Sequence, residues 1–160
     1  MRKSKFFRLT RLLAGAAAVC FLLSGCSGAL SNASDVQSDF SLTLPSSASS
    51  EVLIETHGGF HGDGVTLTRY TFSQEDYDSL VAQARDGGGW QAIAQDGQLS
   101  GILLIDESED YWAQHLPANG YWMYAGTPAL DSTEEVYSYN FAVLVLDTDA
   151  EALYYYALDT

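Results

Sequence analysis

The sequence predicts an α+β fold: a small single domain, mostly antiparallel sheet, with one main helix at about 73–86 packed on one face. Three observations carry this. Short β-rich runs recur between glycine- or aspartate-rich turns, one segment alone combines helical periodicity with signals at both ends, and the C-terminal stretch reads as a hairpin.

In order along the chain, Phe40, Leu42 and Leu44 alternate before Pro45, so "FSLTLP" reads as the start of a strand. "EVLIET" is a strand, a glycine-rich loop follows, and "VTLTRYTF" is the return strand. Ser73 then stands before Gln74, Glu75 and Asp76, a capping-box pattern with acids where the helix dipole favours them. Tyr77, Leu80, Val81 and Ala84 follow at i, i+3, i+4 and i+7, a single apolar stripe, and Gly87, Gly88 and Gly89 stop the helix. Further on, "GILLI" reads as a buried strand, "DESED" as a solvated acidic loop and "GYWMYA" as a short strand. "VYSYNFAVLVL", a turn at "DTDA" and "EALYYYAL" form the hairpin; its first arm is apolar on both faces and therefore central. "DTDAEA" resembles the start of a calcium loop, but it lacks glycine at the sixth position and has Leu158 at the twelfth, so the turn is the better reading.

The amino terminus has a different character. Five basic residues (Arg2, Lys3, Lys5, Arg8, Arg11) precede an apolar run over residues 12–23. Twelve apolar residues suit a secretory signal and fall short of the roughly 20 that a spanning helix needs. "LSGC", residues 23–26, follows and resembles the lipobox of bacterial lipoproteins. That resemblance implies cleavage after Gly25, a diacylglycerol on the Cys26 sulfur and an extracytoplasmic domain on the cell membrane. Two acyl chains anchor durably where one binds only marginally. The domain organisation expected is a signal peptide over 1–25, a tether over 26–39 and one globular domain over 40–160. The tether rests on serine, nine of the 24 residues from 27 to 50. Cys20 lies in the discarded leader, so no disulfide is expected and stability must come from a packed core.

Charge excludes one class of partner. All 21 acids lie beyond Cys26 and five of the seven bases lie before it, which leaves Arg69 and Arg85 and a formal charge of −19. Nucleic acid is not expected as a partner, because phosphate binding relies on Lys and Arg releasing counterions. Cations and basic proteins are attracted.

One loop offers chemistry. "HGGFHGDG", residues 57–64, holds His57, His61 and Asp63 among four glycines. The glycines rule out a helix, so the His-x-x-x-His spacing cannot work as in helical zinc sites. A curled loop can instead converge His57, His61 and Asp63 on a divalent cation, with His115 or a carboxylate as a fourth ligand. The competing reading is a wide hairpin loop whose histidines and Asp63 bond backbone groups. "ETHGGFHGDG" followed by a strand and a capped helix resembles a motif of small uncharacterised proteins and lipoproteins of Gram-positive bacteria, which implies no activity. The chain carries no nucleophile elbow, no His-Glu-x-x-His helix and no reactive cysteine. Aromatics supply a second candidate. Three consecutive tyrosines at 154–156 cannot all face one core, so at least one is expected outside, and Trp112, Tyr121, Trp122 and Tyr155 form a candidate surface for a protein or glycan. The expectation is a lipid-anchored, non-enzymatic binding or accessory domain, the alternative a small metal-binding protein or metal-dependent enzyme.

Overall fold

A computed structural model describes residues 32–58, 63–94, 97–105, 108–130 and 138–160. The leader, Cys26 and His61 lie outside the described residues. The elements are α1 (Ala33–Phe40), β1 (Ser49–Glu55), β2 (Gly64–Thr71), α2 (Gln74–Asp86), β3 (Gln91–Ala92), α3 (Gln98–Leu103), α4 (Glu109–His115), β4 (Gly120–Thr127), β5 (Asn140–Asp147) and β6 (Ala152–Asp159). Among them, no helix is long and apolar enough to cross a membrane.

The six strands form one antiparallel sheet in the order β1-β2-β6-β5-β4-β3, so the fold is α+β. β5 and β6 make a tight hairpin. The Asp147 carboxylate accepts the backbone N–H groups of Asp149 (2.9 Å) and Ala150 (3.1 Å), and Glu151 closes the turn in the left-handed region at φ 48°. β6 then inserts between β5 and β2, which makes it and β5 the central strands, buried over almost their whole length. The helix expected from the capping pattern is α2: the Ser73 hydroxyl accepts the Asp76 N–H, and Tyr77, Leu80 and Ala84 are buried.

Helices cover both faces of the sheet. One face carries Tyr70, Leu144, Leu146, Leu153 and Tyr155 beneath α1 and α2. The other carries Val65, Leu67, Val143, Val145, Tyr154 and Tyr156 beneath α3, through Leu99 and Leu103, and α4, through Trp112. This corrects three expectations. "GILLI" contributes to helix α3 and not to a strand: Leu99 and Leu103 sit one turn apart and bury together, and leucine favours a helix as readily as a strand. "FSLTLP" is not a strand either. Phe40 ends α1, and Ser41 caps it in the left-handed region with its N–H on the Gln37 carbonyl.

The third correction concerns the tether. Residues 33–39, assigned to it by their serines, belong to α1, where Val36 is 0 % exposed and Phe40 only 9 %. Two apolar residues at i and i+4 suffice to dock one turn of helix onto a sheet.

Candidate functional site

At the end of the sheet where β1 and β6 finish, a cleft of about 430 Å³ opens on the face covered by α1. Its existence follows from side-chain size. Farther along this face Leu144, Leu146 and Leu153 fill the space beneath the helices, whereas the cleft is floored by Ala125, Gly126, Ala142 and Ala157. Gly126 has φ 135° and no room for a Cβ against the Asn140 carbonyl and Phe141, so at this position the floor is bare backbone.

The walls are acidic. Asp35 and Asp39 come from α1, one turn apart, and Asp159 from the end of β6; neither Arg69 nor Arg85 lines the cleft. The Tyr155 hydroxyl donates to Asp39 Oδ2 at 3.0 Å. Burial first, then the charge of Asp39, pushes that hydroxyl far above the ordinary tyrosine range, so it remains a neutral donor that fixes the carboxylate. The Asn140 amide is best satisfied with its nitrogen towards Asp159 Oδ1 and the Tyr139 carbonyl, 3.2 Å from each.

His57 forms the remaining wall. Its Nδ1 lies 2.7 Å from Glu55 Oε1 and 3.2 Å from the Thr66 hydroxyl, which itself donates to Glu55 Oε2 at 3.0 Å. Its Nε2 faces Asp159 Oδ2 at 3.4 Å. The imidazole therefore crosses over the start of β2 and spans the two strands that flank it. Gly64 makes the crossing possible: a Cβ there would stand 2.6 Å from the His57 nitrogen and 2.7 Å from its Cα. Burial raises the Glu55 carboxyl, but hydrogen bonds from His57 and Thr66 and the adjacent imidazole outweigh it and hold the group below the ordinary carboxylate range.

The loop residues singled out by the sequence are only partly brought together. Asp63 does not line this cleft; it borders a neighbouring hollow of about 390 Å³ with Thr56, Gly58 and Thr160, and Asp159 is common to both. His61 lies outside the described residues, and among those described no three His, Cys, Asp or Glu side chains are grouped to hold a metal. His115 cannot complete such a set. It stacks on Tyr111 at 4.3 Å and lines a hollow with Asp147 and Tyr154, towards the opposite end of β6 from Asp159.

The aromatic surface is corrected as well. Trp112 is fully buried, Trp122 and Tyr155 nearly so, and Tyr121 is half-buried against the α2 side. Strand alternation sends Tyr154 and Tyr156 to one face and Tyr155 to the other, as expected, but both faces are interiors, so none of the three rings is left outside. The aromatics build the core instead: Trp112 packs edge-on against Tyr154 at 5.5 Å and Tyr156 at 6.4 Å.

Sequence reasoning missed Asp35, Asp39 and Asp159. The first two carried a signal, since carboxylates at i and i+4 flank Val36 and Phe40 on one helix. No protein-family model, curated protein or solved structure matches the chain.

Proposed function

We propose that this chain is a lipid-anchored, extracytoplasmic binding domain, held to the membrane by diacylglycerol on Cys26, whose cleft receives a cationic group. The ligand class is an ammonium or guanidinium carried by a protein or a small molecule. One observation carries the reading: the open cleft is walled by Asp35, Asp39 and Asp159, and none of the described residues lining it is a lysine or arginine that would neutralise them. Low-dielectric walls concentrate such a field and draw cations in. Nucleic acid is unsuited as a partner for the same reason. The anchor is supported by the agreement of basic leader, apolar run and "LSGC" in position.

The binding half is tested by titrating the soluble domain, residues 27–160, with tetralysine and with arginine amide at about physiological ionic strength, below which surface charges are exaggerated. Saturable binding that disappears in Asp35→Asn/Asp39→Asn supports it. Equal binding by wild type and the double variant refutes it. The anchoring half is tested by mass spectrometry of the native amino terminus, where an intact leader without acylation refutes it.

A further inference from the structure

His57 is more than one wall of the cleft. Its ring bridges a carboxylate on β1 and another on β6, with Nδ1 2.7 Å from Glu55 and Nε2 3.4 Å from Asp159. A neutral imidazole has one N–H and one lone pair, so it satisfies one of these carboxylates and turns its lone pair on the other; only the imidazolium donates from both nitrogens. We propose that His57 is a proton-operated clasp. Protonated, it ties the end of β1 to the end of β6 and offsets the acidity of the cleft; deprotonated, it releases Asp159 and leaves the cleft fully acidic.

The charged and polar groups facing the ring account for the sign. Glu55 from β1 and Asp159 from β6 flank it, the Thr66 hydroxyl from β2 lies beside Nδ1, and Asp35 and Asp39 from α1 line the same cleft, with the Asn140 amide of β5 turned to Asp159. Among the described residues lining the cleft there is no arginine or lysine, so the proton on His57 is the one positive charge these walls acquire. The clasp can form because Gly64 lets the His57 backbone lie against β2. Resting on the cation-binding reading above, the clasp makes affinity for a cation fall when His57 is protonated, by about tenfold for one unit charge across a partly solvated cleft.

Two measurements on the soluble domain separate the clasp from the ligand. The first follows the His57 ring nitrogens by NMR from about pH 8 to about pH 5.5, the interval in which imidazole changes charge. Both nitrogens are expected to carry hydrogen-bonded protons at the acid end, and Asp159→Asn is expected to remove the carboxylate partner of Nε2 while leaving that of Nδ1 in place. An Nε2 signal at the acid end that Asp159→Asn leaves unchanged overturns the clasp. The second compares tetralysine affinity at the two pH values in wild type and His57→Gln: about a tenfold loss on acidification in the former and a flat response in the latter are expected. The same slope in both overturns the coupling. Absence of tetralysine binding at either pH, with an Nε2 signal that does respond to Asp159→Asn, refutes the cation reading and upholds the clasp.

Discussion

Gly64→Ala tests how the loop is held. The added methyl meets three backbone atoms, the His57 nitrogen at 2.6 Å, the His57 Cα at 2.7 Å and the Thr56 carbonyl carbon at 2.9 Å. No side chain can swing away to relieve this, so either the methyl is overpacked or the chain at 56–57 moves. Overpacking costs about 1–3 kcal/mol. Movement gives up the hydrogen bonds from the Thr56 N–H to the Val65 carbonyl (2.9 Å) and from the Val65 N–H to the Thr56 hydroxyl (2.8 Å). At about 1 kcal/mol each that is roughly 2 kcal/mol, so both routes converge on about 2 kcal/mol. For a domain of this size 1 kcal/mol shifts the melting temperature by about 4 °C, so Gly64→Ala should melt roughly 8 °C lower. Gly58→Ala is the internal control, because its methyl would meet only the Thr56 carbonyl oxygen at 3.7 Å, an ordinary contact. Thermal and urea unfolding of the two variants decide the matter. Should Gly64→Ala lie within about 0.5 kcal/mol of wild type, the range of an ordinary surface substitution, the close approach of His57 to β2 is wrong.

Val36→Ala removes two buried methyl groups and should destabilise the domain by about 2 kcal/mol in urea unfolding, whereas a flexible tether at this position would register nothing. Glu55 has its carboxyl depressed in the folded state, so its contribution to stability is present above the unfolded value of 4.5 and is lost as pH falls through the lower folded value. Unfolding curves of Glu55→Gln should therefore decline less than wild type on acidification below about pH 4.5, and parallel curves would contradict the contact with His57.

Much of the fold is legible where local and long-range signals agree. Ser73, the stripe from Tyr77 to Ala84 and the glycines at 87–89 mark α2. The unbroken apolar run that begins at Phe141 marks β5 as a central strand, and residues 141–147 are all buried. The misreadings share one cause. Short helices that bury two residues, Val36 with Phe40 and Leu99 with Leu103, leave too few periodic positions to rise above a serine-rich or leucine-rich background. Without α3 and α4 one sheet face stands uncovered, and that in turn makes the aromatics look like a surface. The cleft is less legible still, because Asp35, Asp39, His57 and Asp159 meet only through the sheet order that sets β6 beside β2. His57 can be singled out from its glycines, but its partners cannot.

The docking of α1 also bears on where the domain works. Asn32, just ahead of the helix, is tied to the sheet through its side-chain amide, which donates to the Thr68 hydroxyl at 2.7 Å. Under the proposed anchoring, six residue steps separate it from Cys26, a leash of at most about 21 Å. With that anchoring, the acidic wall made by Asp35 and Asp39 would lie close to the lipid headgroups.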